Sequence, residues 1–286
     1  MKVVAIGGGH GTAVTLRALR SLNCDITAIV SVADDGGSTG VLRDALNIAG
    51  VGDIRKCLVA LAAAEKPWER FFEFRFGDDT AQHHALGNLF LAAAIDSQPS
   101  LENAVVEVGR LLDICGQVLP ASKEGVSLEA ETEAGFVRGQ AAITKSTGVR
   151  KIRTVPVGVS ATDAGLDAIQ LADFVVLGPG SLFTSVLAAC VVPGLSEAIA
   201  QSPAKCVWIA NLQGLDPESR GLGLIEQYAA LVLHGIRVDS VIVHNANEGG
   251  SEIPGVGLIS ADVAGINAKV HDPVKLAHVL RQLMAN

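Results

Sequence analysis

Four glycines in five residues follow the first apolar run of this chain, and little else in the sequence limits its fold as tightly. Residues 2–6 read as a short β-strand that passes directly into Gly7-Gly8-Gly9-His10-Gly11-Thr12 and then into a helix-periodic segment, 12–22. A strand that turns through glycines into a helix must return over its own sheet, so the next apolar run, 26–32, is expected to lie parallel to the first. The alternation resumes later, with strands expected at 173–177, 205–210 and 240–244 and helices between them. The predicted fold class is therefore α/β: a Rossmann-like, mostly parallel sheet with helices on both faces.

Two stretches interrupt the pattern. Segments 51–64, 68–74, 84–95 and 101–114 place apolar residues at helical spacing and predict a helical block. Residues 117–157 carry short alternating pieces such as Ser127-Leu128-Glu129-Ala130-Glu131 and Gly135-Phe136-Val137-Arg138-Gly139, which predict a small β-hairpin insertion inside a single α/β domain spanning 1–286. The last helix, 274–284, opens with Asp272-Pro273, a capping residue followed by proline at the first helical position.

Composition narrows the function. Hydrophobic residues make up 49% of the 286 and charged residues 18%, apolar enough for a sheet covered on both faces. No apolar run reaches the roughly 18 residues a membrane span requires. The opening Met-Lys-Val-Val-Ala-Ile-Gly lacks the features of a secretory signal, so the expected location is cytoplasmic. Cys24, Cys57, Cys115, Cys190 and Cys206 form no Cys-x-x-Cys pair, which argues against a disulfide framework or a zinc knuckle. A net charge of −8 argues against nucleic acid, whose phosphates need clustered Lys and Arg. The expected partner is a small-molecule nucleotide, with association into a homo-oligomer also compatible with the sequence.

The motifs point to phosphate. In the first glycine turn, Gly8, Gly9, His10, Gly11 and Thr12 let backbone amides at a helix start approach an anion. Neither register of that turn completes the Gly-x-Gly-x-x-Gly dinucleotide fingerprint, and the lysine of a P-loop is absent. After the second strand, Asp34, Asp35 and Ser38 bring two carboxylates and a hydroxyl to the same edge, suited to Mg²⁺ or to a ribose hydroxyl. Asp53 begins a helix with Arg55 and Lys56 in its first turn, where two cations make sense facing an anion. In the apolar helix after His84, Asn88 is assigned to the site, while His83 is read as a satisfied core group. Gly178, Gly180, Ser181 and Thr184 repeat the strand, glycine turn and helix start, implying a second anion cradle, and Asn211 and His244-Asn245-Ala246-Asn247 end the remaining strands. In a parallel sheet these ends share one edge, where ligands bind at the reversal of strand order. No nucleophile motif is present, so any catalysis would rest on positioning and charge neutralisation, with Asp35 and Arg55 the candidates.

Taken together, Ile6-Gly7-Gly8-Gly9, Val32-Ala33-Asp34-Asp35-Gly36-Gly37-Ser38, Gly52-Asp53-Ile54-Arg55, Leu86-Gly87-Asn88-Leu89-Phe90, Gly178-Pro179-Gly180-Ser181-Leu182 and His271-Asp272-Pro273 make the chain similar to the bacterial gluconeogenesis-factor family, which is related to 2-phospho-L-lactate transferase. The resemblance covers almost the whole length. It implies a Rossmann-like core, binding of UDP-sugars, and a role in cell shape and wall synthesis during gluconeogenic growth. From the transferase relatives it implies a guanine nucleotide, a deazaflavin acceptor and Mg²⁺ near a residue that looks like Asp35. Three departures accompany it: His10 replaces a threonine, Ala85 replaces a serine, and Asn211-Leu212-Gln213-Gly214-Leu215-Asp216 differs from the usual Asn-Leu-Met-Thr-Gln-Pro.

The leading expectation is a UDP-sugar-binding regulatory protein. Its alternative is a Mg²⁺-dependent transferase of the 2-phospho-L-lactate type, and NAD on the first glycine turn, with Asp34 on the ribose, is a weaker third.

Overall fold

The computed structural model describes residues 1–62, 68–77, 83–212, 216–245, 252–266 and 268–285. Its strands, numbered along the chain, are β1 (Lys2–Gly7), β2 (Asp25–Val30), β3 (Gln117–Pro120), β4 (Ser127–Thr132), β5 (Gly135–Arg138), β6 (Val149–Val155), β7 (Phe174–Leu177), β8 (Lys205–Ile209), β9 (Ser240–His244) and β10 (Gly257–Ala261). Seven of them form one sheet in the order β10-β9-β8-β7-β1-β2-β3, and every pairing in it is parallel. Ile6 of β1 stands level with Ile29 on one side and Leu177 on the other, and all three are fully buried. Each such side chain contributes about 1.5–3 kcal/mol on burial, which explains why the central strands read as unbroken apolar runs.

The helices are α1 (Gly9–Arg20), α2 (Gly37–Leu46), α3 (Gly52–Leu61), α4 (Trp68–Glu73), α5 (Leu86–Ser97), α6 (Leu101–Leu112), α7 (Gln140–Lys145), α8 (Asp163–Gln170), α9 (Ala188–Cys190), α10 (Leu195–Gln201), α11 (Leu224–Leu233) and α12 (Pro273–Met284). A π-helical segment, Leu182–Leu187, runs into α9. Among the described residues no single helix is long and apolar enough to cross a membrane.

Strand order reverses between β1 and β7: successive strands lead from β1 towards β3 on one side and from β7 towards β10 on the other. Right-handed crossovers running in opposite directions put their helices on opposite faces. Consistent with this, α1 packs against α3 and α12, while α8 packs against α10. The turns at the C-terminal ends of β1 and β7 meet at this point, the place in an open parallel sheet where ligands bind.

Three expectations are corrected. Helix α1 starts at Gly9 rather than Thr12, because Gly8 keeps an extended backbone and acts as its N-cap. Residues 37–46, where the sequence suggested a site motif at Ser38 and no helix, form α2; two of its ten residues are glycine, which masks the helical signal. Gln117–Pro120, placed in the hairpin insertion, is instead the edge strand of the main sheet beside β2, and the antiparallel sheet β5-β4-β6 lies within 127–155. The short strand β10 had no counterpart in the sequence reading.

Candidate functional site

The turn after β1 and the turn after β7 interlock. Gly11, in the first turn of α1, lies so close to the Pro179 turn that a Cβ there would stand 2.0 Å from the Pro179 carbonyl oxygen. Gly178 adopts φ +74 and Gly180 φ +148, which the reversal between β7 and the π-helical segment requires. Between the two turns opens a cleft of about 380 Å³ whose walls include His10, Gly11, Pro179, Ser181, Asn211 and Asp216, with Lys269 and His271 completing it. No side chain caps the start of α1, and its first turn carries no acid. Its leading amides therefore retain capacity for an anion, which the helix dipole favours. His10 stands exposed at the rim, its pKa lowered by partial burial and then by the nearby Lys56 charge.

The β7 side is filled differently. The Gly180 amide donates to Asn211 Oδ1 (3.2 Å), and Ser181 Oγ (2.9 Å) and the Asn211 side-chain amide (3.4 Å) both donate to Asp216 Oδ2. One turn further in, the amides of Phe183 (2.9 Å) and Thr184 (3.2 Å) and the Thr184 hydroxyl (2.6 Å) all donate to the carboxylate of Glu218. Glu218 is 1% exposed, and that burial is the leading cause of its raised pKa. Where the sequence suggested a second anion cradle, the inner amides are taken by the protein's own Glu218 carboxylate. Thr184, assigned to phosphate, is buried against Glu218 instead.

A second cluster lies where β1 and β2 end. Asp34 Oδ1 accepts from the Gly36 amide at 3.0 Å. Gly52 leaves room for this carboxylate, since a Cβ there would come within 2.2 Å of Asp34 Oδ2. Asp53 is 3% exposed; its Oδ1 pairs with Lys56 Nζ at 3.0 Å, while Oδ2, packed over Gly8, has no hydrogen-bond partner. Burial raises the pKa of Asp34, and the Asp53 charge raises it further. Ser38 Oγ meets His84 Nδ1 at 2.9 Å, and the Asn88 amide donates to the hydroxyls of Ser38 (3.2 Å) and Thr39 (3.4 Å). Asn88 Oδ1 has no partner either. The helices that meet here, α2, α3 and α5, also start without a side-chain cap.

Gly9, His10, Gly11, Gly180, Ser181 and Asn211 are thus gathered at or beside the cleft, and Gly8 lies at the back of the carboxylate cluster formed with Asp34, Ser38, Asp53 and Asn88. Other assigned residues face inward. The Thr12 hydroxyl donates to the Gly8 carbonyl at 3.1 Å, and the Gly178 carbonyl accepts from Thr15 at 2.6 Å. Arg55 is 1% exposed and ion-pairs with Glu73 at 2.8 Å, so of the two cations opening α3 it is Lys56 that stands beside Asp53 and His10. Asp35 accepts the Gln140 (2.9 Å) and Ala141 (2.7 Å) amides and holds the start of α7. His83 is exposed at φ +59, whereas His84 is the buried partner of Ser38. Residues 213–215 and 246–251, which include the second half of each of two predicted strand-end turns, lie outside the described residues.

Among the described residues no group of three or more His, Cys, Asp or Glu side chains is placed to hold a metal. Mg²⁺ needs fewer, because ligand phosphates and water complete its shell. The Asp34–Asp53 pair, with its unpartnered buried oxygen and mutual charge, fits that need better than Asp35, whose two oxygens are taken by α7. Sequence reasoning read Lys56 with Arg55 as a cation suited to an anion, and left Pro179, Asp216, Glu218, Lys269 and His271 out of the site. Lys56 follows the assigned Arg55 directly, and His271 stood in a quoted motif.

Comparison with known proteins places this architecture. The family model described as 2-phospho-L-lactate transferase CofD matches residues 3–254. The chain belongs to the CofD family. It is 41% identical over 248 residues to a gluconeogenesis factor of Halalkalibacterium halodurans, covering 85% of this chain and 77% of that one. It is 39% identical over 303 residues to a putative gluconeogenesis factor of Mycobacterium leprae, covering 97% and 84%. It is 41% identical over 249 residues to another of Nostoc, where 85% of this chain spans 55% of the relative, about half its length. A crystal structure of a Bacillus halodurans protein superposes with a TM-score of 0.90 at 35% identity, covering 98% of both chains. The likeness to that structure extends over almost the whole fold, and the resemblance to this family read from the sequence holds.

Proposed function

We propose that this protein binds a nucleoside diphosphate compound across the β1–β7 crevice and, with a divalent cation, transfers a phosphate-containing group from it. The observation that carries this reading is the interlocked pair of glycine turns, which presents the uncapped start of α1 to an open cleft at the reversal of strand order. Asp34 and Asp53 would hold the cation, which would neutralise charge developing on the transferred group. Lys56 and His10 stand beside them to steady the same charge. The family's name supports 2-phospho-L-lactate as the transferred group, and the resemblance read from the sequence implies a deazaflavin as its acceptor.

A second reading, a UDP-sugar-binding regulator of cell shape and wall synthesis without turnover, draws on the relatives named gluconeogenesis factors and on Asp35, whose carboxylate serves α7. One experiment separates them. Mass spectrometry of the protein with a 2-phospho-L-lactyl guanosine nucleotide, the deazaflavin acceptor and Mg²⁺ should show transfer product that Asp34→Asn and Asp53→Asn lose. Saturable UDP-sugar binding by calorimetry with no product under any condition would leave the second reading standing. No binding of any diphosphate would remove both.

A further inference from the structure

Two walls of the cleft differ in polarity. On one, the first turn of α1 offers amides and carries no acid of its own, and the Asp53 carboxylate behind Gly8 is paired with Lys56. On the other, Asp216 presents a half-buried carboxylate whose Oδ2 gathers the Ser181 hydroxyl at 2.9 Å and the Asn211 amide at 3.4 Å. These two donors fix one carboxylate oxygen and orient the other. A carboxylate repels phosphate but accepts strongly from hydroxyl groups, and Ser181 Oγ remains an acceptor at its own lone pairs. Across so small a cleft, an anion therefore belongs at α1 and a hydroxylated group at Asp216.

We infer that Asp216, with Ser181 and Asn211, is a specificity site for a vicinal diol of the ligand, which fixes the ligand's direction in the cleft with its phosphates at α1. This rests on the proposed diphosphate binding and adds to it which part of the ligand each wall reads. The diol belongs either to the ribose of a nucleotide or to the sugar of a nucleotide-sugar, each of which offers a vicinal pair of hydroxyls. Asp216 touches the ligand without taking part in bond making, so it sets selectivity rather than chemistry.

The test is calorimetry of the whole chain and of Asp216→Asn, Asp216→Ala and Ser181→Ala, each checked by thermal melting. The probes are GDP, 2′-deoxy-GDP, UDP, UDP-glucose and inorganic pyrophosphate. In the wild-type protein, loss of the diol should weaken binding by about tenfold or more, the scale of a charge-assisted hydrogen bond. A preference for GDP over 2′-deoxy-GDP assigns the ribose, and a preference for UDP-glucose over UDP assigns the sugar. Asp216→Asn should shrink that preference to within about threefold, and pyrophosphate should bind the variant as well as or better than the wild type, because a like charge has gone. If pyrophosphate binds but the wild type shows no diol preference, or if both Asp216 variants melt normally and keep it, the inference is overturned while phosphate binding stands. If neither pyrophosphate nor any nucleotide binds, both fall together.

Discussion

His271 gives the sharpest physical test of how this cleft is built. It is 7% exposed, and its Nε2 lies 3.2 Å from the Ala210 carbonyl oxygen just past the end of β8. A carbonyl only accepts, so Nε2 carries a proton in that arrangement, and it is burial that favours the neutral ring. Burial pushes its pKa down from 6.5 to about 4, against the raising effect of the Ala210 bond. The unfolded chain therefore takes up a proton before the folded chain does. Stability is fully present above pH 6.5 and is lost as pH falls towards about 4. The gap of about 2.5 pH units, at about 1.36 kcal/mol each, amounts to about 3 kcal/mol. The perturbation is His271→Gln, which keeps an N–H near the same carbonyl and cannot titrate. Urea unfolding from pH 7 to pH 4 should show the wild type losing about 3 kcal/mol more than the variant. Taking the difference cancels the carboxylates, including Asp34 and Glu218, whose raised pKa values act in the opposite direction. A difference that changes by less than about 1 kcal/mol over that range would refute the neutral, buried imidazole.

Gly11→Ala should destabilise the protein by about 1–3 kcal/mol and weaken diphosphate binding, since its Cβ would collide with the Pro179 carbonyl at 2.0 Å; an unchanged melting temperature would show that the two turns are not packed as described. Asp34→Asn should stabilise the protein at pH 7, with the gain vanishing as pH falls below the ordinary carboxylate range, because a raised folded pKa means stability lost as pH rises; a loss at pH 7 would refute it. Native-state thiol labelling should reach exposed Cys115 quickly and leave Cys57, Cys190 and Cys206 untouched, since burial raises all three thiols; fast labelling of Cys190, pushed up to about 12, would contradict the core packing.

The frame of this fold was legible because its signals are local. Runs such as Val3-Val4-Ala5-Ile6 and Phe174-Val175-Val176-Leu177, followed by glycine turns, announce buried parallel strands wherever they occur. The roles of individual polar residues were less legible, because they depend on which distant segment supplies a partner. Thr184 reads as a phosphate hydroxyl until Glu218, 34 positions on, is seen to accept from it. Arg55 reads as an anion binder until Glu73 meets it at 2.8 Å, and Asp35 reads as a metal ligand until α7 starts on it. Short elements escaped for a related reason: Gln117–Pro120 is too brief to reveal from its own four residues whether it pairs in parallel or antiparallel fashion.

The chain makes one local motif twice, strand then glycine turn then helix, and the two copies diverge for a reason the structure shows. After β7 the helical amides of Phe183 and Thr184 already bind an anion, the carboxylate of Glu218, sealed at 1% exposure. After β1 the first turn of α1 carries no acid, its N-cap is a glycine without a side chain, and the Asp53 carboxylate packed over that glycine pairs with Lys56 and has an unpartnered Oδ2. Backbone donors left without an internal partner must be met by water or by a ligand. External binding therefore concentrates on the β1 copy, while the β7 copy stiffens the opposite wall. Asp216 and Glu218, two residues apart, divide the work: Glu218 closes the inner cradle and Asp216 faces the cleft. Replacing Glu218 should thus loosen the wall without creating a second phosphate site, because the amides it frees lie beneath the surface.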